Sequence, residues 1–119
     1  MSINAEEPAP QATARRPAWE LVIEYCEGCW PVDVDEARQV VDDMRERDQI
    51  GRARYGVPLQ ADNGRKHLVD AYQELLDHVV YLRAELDERG IDPAGPDTIA
   101  RLFVDQVARL PLLRALIGP

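Results

Sequence analysis

The sequence predicts an all-α protein, a bundle of about four helices, on three observations. Apolar residues recur at helical spacing in four separate stretches. Gly- and Pro-bearing segments punctuate the intervals between them. No run rich in β-branched residues alternates with the period of a strand.

Residues 1–16 precede the first periodic stretch and are rich in Ala, Glu, Pro and Gln, with Ile3 their only large branched apolar residue. Such a segment has little apolar surface to offset its ordering entropy, so a disordered N-terminal tail is expected there. Residues 17–119 are then expected to form a single domain. The first helix rests on Trp19, Val22, Ile23 and Cys26, spaced i, i+3, i+4, i+7. It is expected to run from 18 to about 26, with Gly28 and Pro31 ending it. Asp33 and Asp35 are candidate N-caps for the second helix, expected over 36 to about 54. Ala37, Val40, Val41 and Met44 form its apolar stripe, and residues 55–58 break it.

Residues 59–64 read as a loop, with Asn63-Gly64 as a turn signal. The strongest element follows. Leu68, Tyr72, Leu75, Val79, Leu82 and Leu86 make a heptad-like seam, which Val69, Leu76 and Val80 widen. A helix with so broad an apolar arc needs more than one neighbour. Gly90 is its stop. Asp97 is the expected N-cap of the last helix, whose face is Ile99, Leu102, Phe103, Val107 and Leu110. Pro111 is expected to interrupt that helix, leaving another turn or two after it.

The chain has 119 residues, enough for one domain. It carries 22 Asp and Glu against 14 Lys and Arg, a formal net charge of −8. A general DNA or RNA binder needs a basic face, so no nucleic-acid partner is expected. A phosphate-bearing small ligand stays open, because a bound divalent cation inverts the local charge. No apolar run is long enough to span a bilayer and no export signal is evident, so a cytoplasmic protein without a membrane partner is expected. Cys26 and Cys29 form a C-x-x-C pair. It reads as a redox pair, as half a zinc site with His67 and His78 the only histidines, or as two small residues at a helix end.

Carboxylates carry the chemistry. Asp70, Glu74, Asp77 and Tyr81 share a stripe nearly opposite the leucine seam. Glu74 and Asp77, three apart, can reach one point, and hard cations such as Mg²⁺ take oxygen ligands. A solvated face would look similar, although this stripe contains no Lys or Arg and includes an aromatic residue that suggests partial cover. On the preceding helix Asp43 and Glu46 share a face. Asp48 continues the Ala37, Val41, Met44 series, where a carboxylate requires a cation. Asp48 is therefore a metal ligand, a partner of Arg45, Arg47 or Arg52, or part of a fraying turn. Between the two helices, Arg52 and Arg54 can clamp phosphates and Tyr55 can stack on a base; an ordinary helix exit has the same composition.

Taken together, these pieces resemble the MazG-like nucleotide pyrophosphohydrolases, an all-α group marked by an E-x-x-E pair on one helix and an E-x-x-D pair on the next. Here the pairs are Asp43-Met44-Arg45-Glu46, with Asp in place of the leading Glu, and Glu74-Leu75-Leu76-Asp77. Short bacterial and phage members are the most similar. In them a stretch like Arg54-Tyr55-Gly56-Val57-Pro58-Leu59-Gln60 leads to one like Asn63-Gly64-Arg65, followed by one like residues 68–77 and then Tyr81-Leu82-Arg83. The resemblance covers residues 40–89 and departs at Asp43 and at Lys66-His67, where relatives often carry a small or acidic pair.

The resemblance implies Mg²⁺, with Mn²⁺ as an alternative, and cleavage of a nucleoside triphosphate to monophosphate and pyrophosphate. It implies Glu74 and Asp77 as metal ligands, assisted by Asp43 and Glu46, with Asp48 in reserve; Glu46, Glu74 and Asp77 form the catalytic set. Arg54, Asn63 and Lys66 become candidates for phosphate or sugar contacts, and Tyr55 and Tyr81 for the base. It also implies a homodimer or homotetramer. The competing class is a non-enzymatic helical adaptor with a degenerate nucleotide site. A zinc- or thiol-dependent regulator using Cys26 and Cys29 is a third.

Overall fold

The computed structural model describes residues 3–31 and 34–119. Among these, four helices form: α1 (Ala18–Cys29), α2 (Asp35–Tyr55), α3 (His67–Arg89) and α4 (Thr98–Ile117). No strand is present among the described residues beyond an isolated antiparallel bridge between Pro17 and Gln60. No helix is long and apolar enough to cross a membrane.

The chain gathers into two compact units. One is Glu7–Arg65; the other is Lys66–Pro119 with Met1–Glu6. Each is built on a helical hairpin, α1 packing on α2 in the first and α3 on α4 in the second. The first buries Cys26 and Val41 between helices that also half-bury Trp19, Ile23 and Met44. The second buries Val69, Val79 and Leu86 from α3 and Ala100 from α4. Leu86 and Ala100 are wholly enclosed. Of the predicted seam, Val79 and Leu86 are buried and Tyr72, Leu75 and Leu82 half-buried, while Leu68 is exposed.

The helix ends follow local chemistry. α1 passes through Gly28, whose helical cost of about 1 kcal/mol is too small to stop a packed helix. It stops at Trp30, whose ψ of 145° is the extended conformation imposed by the following Pro31. α2 begins without a side-chain cap. Val34 precedes it, and Asp35, expected as a cap, is instead the first helical residue, paired with Arg38. Its charge there complements the helix N-terminus. The other expected cap, Asp33, lies outside the described residues.

α3 ends at Gly90, whose φ of 65° suits a residue without Cβ. Gly90 N donates to Asp87 O at 3.1 Å and Ile91 N to Leu86 O at 2.9 Å, a Schellman pair that satisfies two terminal carbonyls. Asp97 caps α4 as predicted, its Oδ1 accepting from Ile99 N at 2.8 Å. Pro111 does not interrupt α4, which runs unbroken to Ile117. Proline removes one helical N–H, and both Pro111 and Val107, four residues earlier, are exposed, so water can serve the freed carbonyl.

Residues 7–17 are joined to residues 59–65 by hydrogen bonds. Thr13 N donates to Gln60 Oε1 at 3.0 Å, and Gln60 Nε2 donates to Thr13 O at 2.9 Å and Arg15 O at 2.7 Å. Gln11 N donates to Asn63 O at 2.9 Å and Ala18 N to Leu59 O at 2.7 Å. The composition offers no apolar reason for order, and none is used: no residue from 7 to 16 is buried.

Substituting Leu86→Ala removes the largest enclosed apolar side chain and is expected to destabilise the fold by about 2–5 kcal/mol. Asp97→Ala is expected to cost about 1 kcal/mol through loss of the cap. Urea denaturation followed by circular dichroism measures both; equal effects would contradict this assignment of core and cap.

Candidate carboxylate site and its loop

Glu74 and Asp77 stand one turn apart on α3 because the apolar seam turns the opposite face outward. Both are exposed, as are Asp43 and Glu46 on α2. Among the described residues none of these four carboxylates takes part in an ion pair or side-chain hydrogen bond. Each pair therefore retains its oxygen lone pairs for an incoming cation. The first pair belongs to the Glu7–Arg65 unit and the second to the Lys66–Pro119 unit. Among the described residues no group of three or more His, Cys, Asp or Glu side chains gathers to hold a metal ion. The donor chemistry of each pair nevertheless suits Mg²⁺, which commonly takes one or two carboxylates and completes its octahedron with water and phosphate oxygens.

Glu74 also lines a shallow groove between α3 and α4 with Leu75, His78, Gln106 and Arg109. Arg109 is paired there with Asp105 at 3.2 Å. Tyr81, at the end of the acidic stripe, is 70% exposed. The partial cover suggested by its aromatic character is absent from the described chain.

Asp48 meets its cation. It is half-buried, and Arg52 Nε donates to its Oδ1 at 2.9 Å, one helical turn away. This ion pair answers the carboxylate in the apolar series and leaves Asp48 a poor candidate for the metal set. Arg54 lies over the Tyr55 ring, 5.1 Å from its centroid, and both are exposed at the end of α2. Lys66 is exposed immediately before α3, its carbonyl accepting from Asp70 N at 3.1 Å.

Asn63 departs from its expected role. It is fully buried rather than presented to solvent. Its Oδ1 accepts from Arg65 N at 3.1 Å, closing an Asx turn through Gly64, whose φ is 87°, directly after Asp62, whose φ is 61°. Its Nδ2 is buried without an acceptor. Gln60, which the sequence did not single out as a site residue, is 5% exposed and both accepts from and donates to the N-terminal segment. Arg65 is equally engaged: Nη1 donates to Pro8 O at 3.1 Å, and Nη2 lies 3.4 Å from Glu7 Oε2. These roles rest on amide and carbonyl pairings, for which residue periodicity carries no signal. Each such bond contributes about 1 kcal/mol net, comparable to the cost of ordering one residue, about 1–2 kcal/mol. Closure of the segment is thus close to balance.

The two cysteines separate in environment: Cys26 is buried and Cys29 exposed, both free thiols on α1. A hydrogen bond with Cys29, followed by the charge on that sulfur, raises the Tyr25 hydroxyl above its ordinary pKa. His67 and His78 lie on α3, in the other unit.

No protein-family model, curated protein or solved structure matches the chain.

Asp48→Asn is expected to leave Mg²⁺ affinity unchanged and to alter stability by no more than about 0.5 kcal/mol, the scale of a partly exposed i,i+4 pair. Calorimetric titration with MgCl₂ checks the first and thermal melting the second. Loss of cation binding in this variant would restore Asp48 to the metal set.

Proposed function

We propose that the protein is a Mg²⁺-dependent nucleoside triphosphate pyrophosphohydrolase, converting a (d)NTP to the (d)NMP and pyrophosphate. The observation that carries this reading is the pair Glu74 and Asp77. They stand three residues apart on the exposed face of α3, unpaired, within the stretch that resembles the MazG-like signature. Asp43 and Glu46, exposed and unpaired on α2, supply the second half of that signature.

In this reading Glu74 and Asp77 hold the cation, and the resemblance assigns Asp43 and Glu46 an assisting role. When bound, the cation neutralises the phosphoryl oxygens and favours attack at phosphorus. A carboxylate of the set, Glu46 in our assignment, orients the attacking water and accepts its proton. The water oxygen joins one phosphorus as the bond between the α and β phosphates breaks, and pyrophosphate leaves. In this reading Arg54, exposed at the end of α2, and Lys66, exposed immediately before α3, serve as the residues that attract the polyphosphate. Tyr55 and Tyr81 offer exposed rings to the base.

A homodimer or homotetramer belongs to the same proposal. Leu102, Val104, Leu112 and Leu116 of α4 are each 46–68% exposed, an apolar surface that a second copy would cover. The same surface favours the second reading, a helical adaptor that binds a different protein through α4 and performs no catalysis.

Product analysis separates the two. Metal-dependent release of monophosphate and pyrophosphate from at least one NTP or dNTP is expected, and Glu74→Gln or Asp77→Asn is expected to lower turnover by at least about 100-fold with helicity retained. Full activity in either variant removes the metal assignment. Failure of the folded wild-type protein to turn over any nucleotide leaves the adaptor.

A further inference from the structure

We propose that residues 7–16 form a displaceable strap, which occupies the anion-accepting groups of the 59–65 loop and yields to the polyphosphate of a nucleotide. This proposal rests on the hydrolase reading for the identity of its ligand. Three observations within the Glu7–Arg65 unit carry it.

The strap presents acceptors to the loop's donors. The Glu7 carboxylate, only 10% exposed, and the Pro8 carbonyl both lie on the Arg65 guanidinium. A carboxylate and a carbonyl on one guanidinium reproduce what two phosphate oxygens would offer. The cover is also incomplete. Asn63 is enclosed, yet its Nδ2 has no acceptor. This buried amide donor, two residues from Arg65, suits an acceptor oxygen, and the strap does not supply one. Finally, the strap is held by polar bonds alone. Gln60 pairs with Thr13 and Arg15, Thr13 Oγ1 donates to Ala61 O at 3.1 Å, and Arg15 pairs with Asp62 at 3.0 Å. With no apolar side chain of residues 7–16 buried, no apolar core opposes its release.

The strap thus competes with anions at Arg65. Its displacement uncovers Gln60 and Asn63, and the Asn63 amide then has a phosphoryl oxygen to serve. The chain in the strapped state binds polyphosphate more weakly than with the strap released, by the fraction of time the loop is open.

The test uses the full chain with Glu7→Gln, which removes the competing charge, and separately Thr13→Pro, which removes the Thr13 N–H bond to Gln60. Both positions lie outside the helices, and circular dichroism checks that helicity is unchanged. Inorganic tripolyphosphate with Mg²⁺ is titrated calorimetrically, and hydrogen exchange is followed at the Gln11 and Thr13 amides. Each variant is expected to bind tripolyphosphate about five- to tenfold more tightly than wild type. Saturating tripolyphosphate is expected to speed exchange of both amides in wild type. Equal or weaker binding in both variants overturns the strap, as does an absence of tripolyphosphate binding to any form. NTP turnover measured in parallel keeps the two proposals apart. Turnover with equal binding removes the strap alone, and tightened binding without turnover of any nucleotide removes the hydrolase alone.

Discussion

A carboxylate withdrawn from water needs a cation or a set of donors, and in this acidic chain that requirement decides which helix faces turn outward. Glu74 and Asp77 occupy the exposed face of α3 because Val69, Val79 and Leu86 take the other. Asp43 and Glu46 stand outward on α2 while Val41 is buried. Asp48 breaks the pattern by entering the apolar side, and it does so with Arg52 bound to it. The division between paired and unpaired carboxylates therefore separates acids with a local structural role from acids whose oxygens are open to a ligand.

The same rule operates in the connection between α2 and α3, with amides in place of carboxylates. Gln60 and Asn63 are removed from solvent, and Gln60 meets a donor and an acceptor of the N-terminal segment as another peptide would. Asn63 is satisfied at its oxygen and not at its nitrogen. Arg65 closes the arrangement by taking Glu7 and Pro8. A segment that carries too little apolar surface to fold by burial is ordered here by hydrogen bonding to a turn, which leaves its order dependent on whatever else that turn can bind.

Both hairpins are thinly covered. Large apolar side chains remain at the surface of each, Leu21 and Val22 on α1 and Leu112 and Leu116 on α4 among them. Helical hairpins of this size have little interior, so part of the apolar arc read along α3 and α4 has no burial within the described chain. Assembly through α4 would supply it, on a face where Leu112 and Leu116 adjoin Glu74 in the groove between α3 and α4.

The four helices were legible in the sequence because period and punctuation act locally. Asp97 caps α4 through a bond to a residue two positions away, and Gly90 ends α3 through its own backbone freedom. The outward placement of Glu74 and Asp77 was legible for the same reason, since a helix turns residues three apart onto one face. Pro111 misled: the local rule predicted a break, but a packed helix tolerates one missing N–H at an exposed position. The fate of Asp48 narrowed to a short list from sequence, and side-chain geometry selected Arg52. What only the tertiary structure decided was the pairing of residues 7–17 with 59–65, and with it the burial of Gln60 and Asn63. Those bonds join positions more than forty residues apart, the Gln60 side-chain amide meeting backbone groups of Thr13 and Arg15. No spacing or composition marks them, because the backbone groups that a distant side-chain amide meets depend on where the chain has already been folded.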